Sequence, residues 1–406
     1  MQKPFQEPKL PLPPPLMMSE SGSFAHYTLT SRLPAIARRV IAENDFTPKI
    51  VNNLETLIQE LADGSVRSLT DDNSPDLTSW NTYLEPFVGK RWLDIPWFFA
   101  EAYFFRRILE ATHYFLPGSS QSVDPYAVQK YRGLETANDS IKAISTKINN
   151  SEKDTTSLIA LLYFVLWGNR ADLSLWPVDA VDSNYNSLEN HPEQTHVLVD
   201  DTSVISDKIA NFDKVRIDFI VDNAGLELVS DLCLADYLLD TNAAKVVYLH
   251  LKPYPTFVSD ATIKDVHSTL KILATDENRE VRCLSFRLQD YINSNRLCLV
   301  DDLFWTSPLV FWEMPESLQQ DLAQSSLIFV KGDANYRRCL GDRQWDFTTS
   351  FADITCYFPA PFAALRTLKS EIVAGLQPSQ LESLSRQDPQ WLTNGQWGVI
   401  QIGNWE

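Results

Sequence analysis

Four short apolar runs in the C-terminal half of the chain end on acids or amides. Asp222-Asn223-Ala224-Gly225-Leu226-Glu227 follows VRIDFIV, and Asp260 closes the loop PYPTFVSD after AKVVYLHLK. Asp301 and Asp302 follow RLCLV, and Lys331-Gly332-Asp333 follows SLIFV. One Asp or Asn after a strand is most often the N-cap of the next helix. Capping does not call for acids after four strands, however. Like charges gathered on one edge repel, and a divalent cation offsets that repulsion. Carboxylate and amide oxygens are hard donors, better suited to Mg²⁺ or Mn²⁺ than to a structural zinc. Asp222 and Asn223 are adjacent where a strand ends and its side chains stop alternating, so both can reach one ion. Residue type alone leaves the ligand choice open, because Asp301, Asp302 and Asp333 share the edge.

Lys331-Gly332-Asp333-Ala334-Asn335-Tyr336-Arg337 combines two cations, a flexible backbone point, a carboxylate and an amide. Such a set can grip a phosphate and place a proton donor or base. A surface turn closed by a salt bridge would read the same way. Gly225 suits a tight strand-to-helix turn. The helix start beyond it offers free backbone N–H groups to an anion.

These residues need elements to hold them. After Gln194, short β-branched runs alternate with helical patterns such as ELVSDLCLADYLLDT, which predicts an α/β domain over residues 195–406 with a mostly parallel central sheet. Loops after parallel strands share one edge, where ligands bind. Residues 21–194 carry apolar positions at helical spacing and predict an all-helical domain. WFFAEAYFFRRILEATHYF and TTSLIALLYFVLWGN are apolar all round and predict central helices, with Glu101, Arg106 and Arg107 as internal ion-pair or interface residues, or as part of the cleft lining. Asn169 and Asp172, at a helix end, are expected to approach the site from that side. Residues 1–20, rich in proline, predict a mobile tail or an extended arm.

Composition narrows the function. With 35 basic and 53 acidic residues in 406, the net charge of −18 disfavours nucleic acid and anionic membranes as partners. It leaves room for a small anionic substrate, since a bound cation and local Lys or Arg can reverse the field inside a cleft. Five dispersed cysteines without a Cys-x-x-Cys fit a reducing compartment. The N-terminus lacks the apolar stretch of a signal peptide, and the apolar run Leu158–Trp167 is shorter than the roughly 20 residues that span a bilayer. A cytoplasmic or nuclear location is expected. The oligomeric state is not legible. There is no P-loop, no G-x-G pair, no H-E-x-x-H and no G-x-S-x-G. Asp200-Asp201-Thr202 has the wrong spacing for an aspartyl-phosphate motif and reads as a turn or cap.

WLDIPWFFAEAYFFRRIL, WGNRADLSL, VDNAGLEL, PTFVSDATIKD, DDLFWTSP, KGDANYRR and Arg366-Thr367-Leu368-Lys369 occur in this order. Together they resemble the damage-control phosphatase family, in its eukaryotic branch with the R-T-x-K signature. The resemblance covers the chain from its first helices to the C-terminus. It implies a divalent metal, with Mn²⁺, Ni²⁺ or Co²⁺ supporting activity, held by Asp222, Asn223 and Asp260. It implies Glu227 as a pocket residue, Asp333 to Arg337 as the substrate loop, and Lys369 as a phosphate contact. The implied substrates are small sugar phosphates such as fructose 1-phosphate and fructose 6-phosphate.

Phosphomonoester hydrolysis is therefore the leading expectation. A metal would act as a Lewis acid on the phosphate. Lys331, Arg337 and Lys369 would hold its charge. Asp333 is the expected general acid or base and Glu227 the alternative, while direct attack by Asp222 stays open. Two rivals are methyl transfer from S-adenosylmethionine to a protein carboxylate, against which the missing glycine-rich loop speaks, and a non-catalytic scaffold.

Overall fold

The computed structural model describes residues 8–71, 73–118, 120–168 and 196–405. Its centre is a seven-stranded sheet: β1 (Val197–Asp200), β2 (Val215–Ile220), β3 (Ala244–Leu251), β4 (Leu297–Asp301), β5 (Leu327–Lys331), β6 (Phe362–Thr367) and β7 (Gly398–Gly403). The spatial order is β1-β7-β6-β5-β2-β3-β4. Pairing is parallel throughout except between β6 and β7. The fold is thus α/β, with a mostly parallel sheet and an N-terminal helical region, as the alternation of runs predicts.

Strand order fixes where a ligand can sit. From β2 the chain moves outward to β3 and β4, then crosses back to place β5 on the other side of β2. The C-terminal ends of β2 and β5 therefore flank the point where the order reverses, which is where open parallel sheets form a crevice. β1 and β7 run opposite to the other five strands, so Asp200 and Asp201 lie at the far edge. Asp200 accepts from the backbone N and the hydroxyl of Thr202 at 3.1 and 2.8 Å, the turn expected there.

β5 shows why the central strands are apolar on both sides. Leu327 and Phe329 join one core cluster and Ile328 and Val330 the other, an alternation of period two with helices or loops covering both faces. β6 was not foreseen. Ala363 and Ala364 have low β-propensity, and only pairing between β5 and β7 makes the segment a strand.

The apolar clusters divide near residue 126 rather than at residue 194. Met18 to Tyr126 build one cluster around the helix Trp97–Ala111. The helices Asn138–Asn150 and Thr155–Trp167 instead join the core on one face of the sheet. The proline-rich start is an extended strap from Pro13 to Met18. Leu16 N donates to Asp342 O, Trp97 N donates to Leu16 O, each at 2.9 Å, and Met18 is fully buried. Among the described residues, no helix is long and apolar enough to cross a membrane. All five cysteines are free thiols.

Candidate active site

Asp222 and Asn223 follow β2, and Asp260 sits in the loop after β3. An antiparallel bridge joins Asn223 to Asp260, and Ala261 N donates to Asp222 O at 2.8 Å. Two strand exits thus become one floor. Asp222 and Asp260 are buried; among the described residues Asp222 Oδ1 has no hydrogen-bond partner, and Asp260 Oδ2 has only the Lys252 ammonium near it. Burial raises the Asp222 carboxyl well above its usual range, and the Asp260 and Glu227 carboxylates add to the rise. Burial also raises Asp260, against the opposing charge of Lys252 with Nζ at 3.4 Å. Asn223 Nδ2 donates to Asp222 Oδ2 and to Glu227 Oε2, each at 2.9 Å, and its Oδ1 accepts from Ser259 Oγ at 2.6 Å. The amide donor thus stands where a cation would neutralise two carboxylates. Ligation through Oδ1 needs the amide to turn over, after which Nδ2 can donate to Ser259. Two under-bonded buried carboxylates and an amide fit a hard divalent ion.

The loop carrying Asp260 is anchored in the helical region. Phe257 packs on Phe98 and Phe105, with ring centres 5.8 and 4.8 Å apart. Phe257 and Val258 both take left-handed backbone conformations, with φ of 45° and 68°. Such strain in a bulky, β-branched pair persists only where the surroundings over-determine it.

The wall from β5 is set by Gly332. Its φ is 80°, and an added Cβ would lie 1.9 Å from Asp222 Oδ2. Lys331 is buried and its Nζ donates to Asp231 Oδ1 at 2.8 Å, with Glu227 Oε1 at 3.7 Å. Burial lifts Asp231 to about 6. Asp333 Oδ1 accepts from Arg366 Nε at 2.8 Å, Ser370 Oγ at 2.9 Å and Lys369 N at 3.2 Å. Burial alone would raise Asp333, but Arg366 and Arg337 outweigh it and hold the carboxyl below its usual range. Asp333 therefore ties the Lys369 loop to the floor. Arg337 spans both halves of the molecule: Nη1 donates to Glu101 Oε2 at 2.5 Å, Nε donates to Asp342 Oδ1 at 2.7 Å, and Trp97 lies under it.

The sequence-expected residues divide accordingly. Asp222, Asn223, Glu227, Asp260, Lys331, Asp333, Ala334, Arg337 and Lys369 line one cavity of about 210 Å³. That is below the roughly 300–1,000 Å³ of sites for drug-sized ligands and suits a small metabolite. Asn335 and Tyr336 do not line it. Asn335 Nδ2 donates to Lys331 O at 2.9 Å, and Tyr336 OH donates to Gln401 Oε1 at 2.7 Å, both inside the core. They face inward because helix Gly332–Cys339 packs that side on the sheet. Asp302 caps a short turn through Phe304 N at 2.7 Å and, like Asp301, stands outside the cavity. Asn169 and Asp172 fall outside the described residues. Glu101 lines the cavity from the helical side; Arg32 and Trp97 line it there too, unforeseen as site residues because only tertiary packing brings them there. Asp231 had a local signal: it lies four residues after Glu227 on one helix face.

A second cluster, Asp218, His250 and Asp321, also brings ligand-type atoms together, within 4.8 Å. Arg216 fills it, donating to both oxygens of Asp218 at 2.8 and 2.7 Å and to both of Asp321 at 3.0 and 2.9 Å. The forked guanidinium satisfies that cluster as a partly buried ion-pair network.

A family model described as the damage-control phosphatase ARMT1-like domain matches residues 28–384. The chain belongs to this family. Membership makes it a phosphatase of metabolite damage control. The protein named damage-control phosphatase ARMT1 in Danio rerio is 32% identical over 97% of this chain and 98% of its own length. Its counterpart in Homo sapiens is 31% identical over 96% of this chain and 98% of its own. A DUF89 family protein from Pyrococcus horikoshii superposes with a TM-score of 0.49 at 13% identity, over 92% of this chain and 97% of that one.

Proposed function

We propose that the chain is a divalent-metal-dependent phosphomonoester hydrolase acting on small sugar phosphates of the fructose 1-phosphate or fructose 6-phosphate kind. The observation that carries this reading is the pair of buried carboxylates on one floor: Asp222 Oδ1 has no hydrogen-bond partner among the described residues, and Asp260 Oδ2 is met only by Lys252 Nζ, at 3.4 Å. Asp222, Asn223 and Asp260 would hold the ion, with Mn²⁺ or Ni²⁺ first and Co²⁺ or Mg²⁺ next. When bound, it supplies Lewis acidity at the phosphate.

The chain's own groups do the rest. Lys369, exposed on the cavity wall, meets phosphate charge. Lys331 is already committed to Asp231 and steadies Glu227 rather than gripping substrate. Asp333, held ionised by three donors, orients the Lys369 loop and is a poor proton donor. The proton-carrying role therefore passes to Glu227, which is half-buried and bonded to Asn223. A panel of sugar phosphates with added Mn²⁺, Ni²⁺, Co²⁺ or Mg²⁺ tests the reading by phosphate release. Activity that survives chelation, or that survives Asp222→Ala with metal present, overturns it.

A further inference from the structure

The helix running from Phe24 to Glu43 is interrupted at Thr28–Arg32 by a π turn. Pro34 explains the interruption: it has no N–H to give, and its ring collides with the carbonyl four residues back. π turns recur at functional sites. This one ends on Arg32, which lines the cavity. Arg32 donates to Thr28 Oγ1 at 3.3 Å, and its guanidinium stands 4.9 Å from the Phe24 ring centre. The start of the same helix is fastened to the catalytic half, where Phe24 N donates to Glu371 Oε2 at 2.9 Å. Glu371 lies two residues beyond Lys369, so Arg32 and Lys369 are held on linked supports.

Among the described residues, four cations line the cavity: Arg32, Lys331, Arg337 and Lys369. Lys331 is committed to Asp231, and Arg337 to Glu101 and Asp342. Arg32 and Lys369 make no ion pair among the described residues. They serve different ends. Lys369 favours the charge on Asp222, at the floor, whereas Arg32 favours the charge on Glu101, on the helical wall. In a chain with 35 basic residues against 53 acidic ones, an exposed guanidinium on the cavity lining, without an ion pair among the described residues, is an anion-seeking group.

Accepting the floor as the phosphate end, we propose that Arg32 is a specificity-determining residue that binds a second anionic group at the far end of the substrate. Phosphate esters carrying a further anion are then preferred over those that end in neutral hydroxyls. The test is calorimetric titration of the full chain, without added metal, using fructose 1,6-bisphosphate and fructose 6-phosphate as a matched pair. Wild-type protein should bind the bisphosphate about tenfold more tightly or better, the ratio one charge-assisted hydrogen bond supports. Arg32→Gln should bring the ratio close to one. Arg32→Lys should keep part of it, with thermal melts checking that both variants fold. A wild-type ratio near one, or an Arg32→Gln chain that keeps the preference, overturns the role of Arg32 and leaves the phosphatase reading standing. Failure to bind either sugar phosphate overturns the role of Arg32, while the phosphatase reading stands or falls on phosphate release with metal present.

Discussion

At Asp222 three effects act in one direction, with burial the largest and the charges of Asp260 and Glu227 beside it. The folded-state carboxyl therefore titrates above its ordinary value of 3.8. The metal-free fold binds that proton more tightly than the unfolded chain does, so the stability from this group is complete below about pH 4 and is lost as pH rises through the folded value. Asp222→Asn should remove that slope and raise the melting temperature of the metal-free protein at neutral pH, read by melts in chelator across pH. The same variant should lose metal stabilisation. Mn²⁺ at about 100 times its Kd should add about 2.7 kcal/mol to wild type and close to nothing to Asp222→Asn. At Gly332 the constraint is space. Gly332→Ala places a methyl group 1.9 Å from Asp222 Oδ2, so it should abolish metal binding and phosphate release together.

Two neighbouring strands, β2 and β5, bring the floor and the wall together. Their support extends into the helical region through helix Trp97–Ala111. One face of that helix carries Glu101, paired with Arg337 across the cavity. Another carries Arg106, buried between Asp71 and Asp76 at 2.9 Å from each, with Tyr254 also donating to Asp76 at 2.5 Å. Removing the cation leaves two buried carboxylates uncompensated. Arg106→Ala should cost about 3–5 kcal/mol, measured by urea unfolding. An isosteric apolar replacement is not expected to rescue it, because both acids remain.

Over the whole molecule, the strap Pro13–Met18 stitches the helical region to the loop after helix Gly332–Cys339. Arg343 Nη1 donates to Pro13 O at 2.6 Å and Gln344 N donates to Pro14 O at 3.0 Å. Its buried anchor is Met18, so Met18→Ala should cost about 2–5 kcal/mol. Deleting residues 1–18 should lower the melting temperature and speed proteolysis between the halves. Unchanged cleavage kinetics would count against the strap as a tie.

What the sequence determined by itself is what local pattern encodes. β-branched runs ending on polar residues marked β2, β3, β4 and β5, and the acids after them marked the edge where chemistry belongs. Motif order supplied the family and, with it, the choice of Asp222, Asn223 and Asp260. Only the tertiary structure decided which charges are free. Lys331 and Arg337 read as phosphate grips, but Asp231 lies a hundred residues from Lys331 and Glu101 lies more than two hundred from Arg337, and no local pattern announces such partners. Asn335 and Tyr336 share a motif with Asp333 yet face the core, because a helix sends consecutive side chains in different directions. β6 has too little side-chain propensity to declare itself and exists because its neighbours pair with it. Arg32 lines the cavity from a π turn in a helix whose start is held by Glu371, a contact that no local pattern announces. Burial and ion pairing depend on the whole chain, so they set the working charges of the site in a way that residue type and spacing do not.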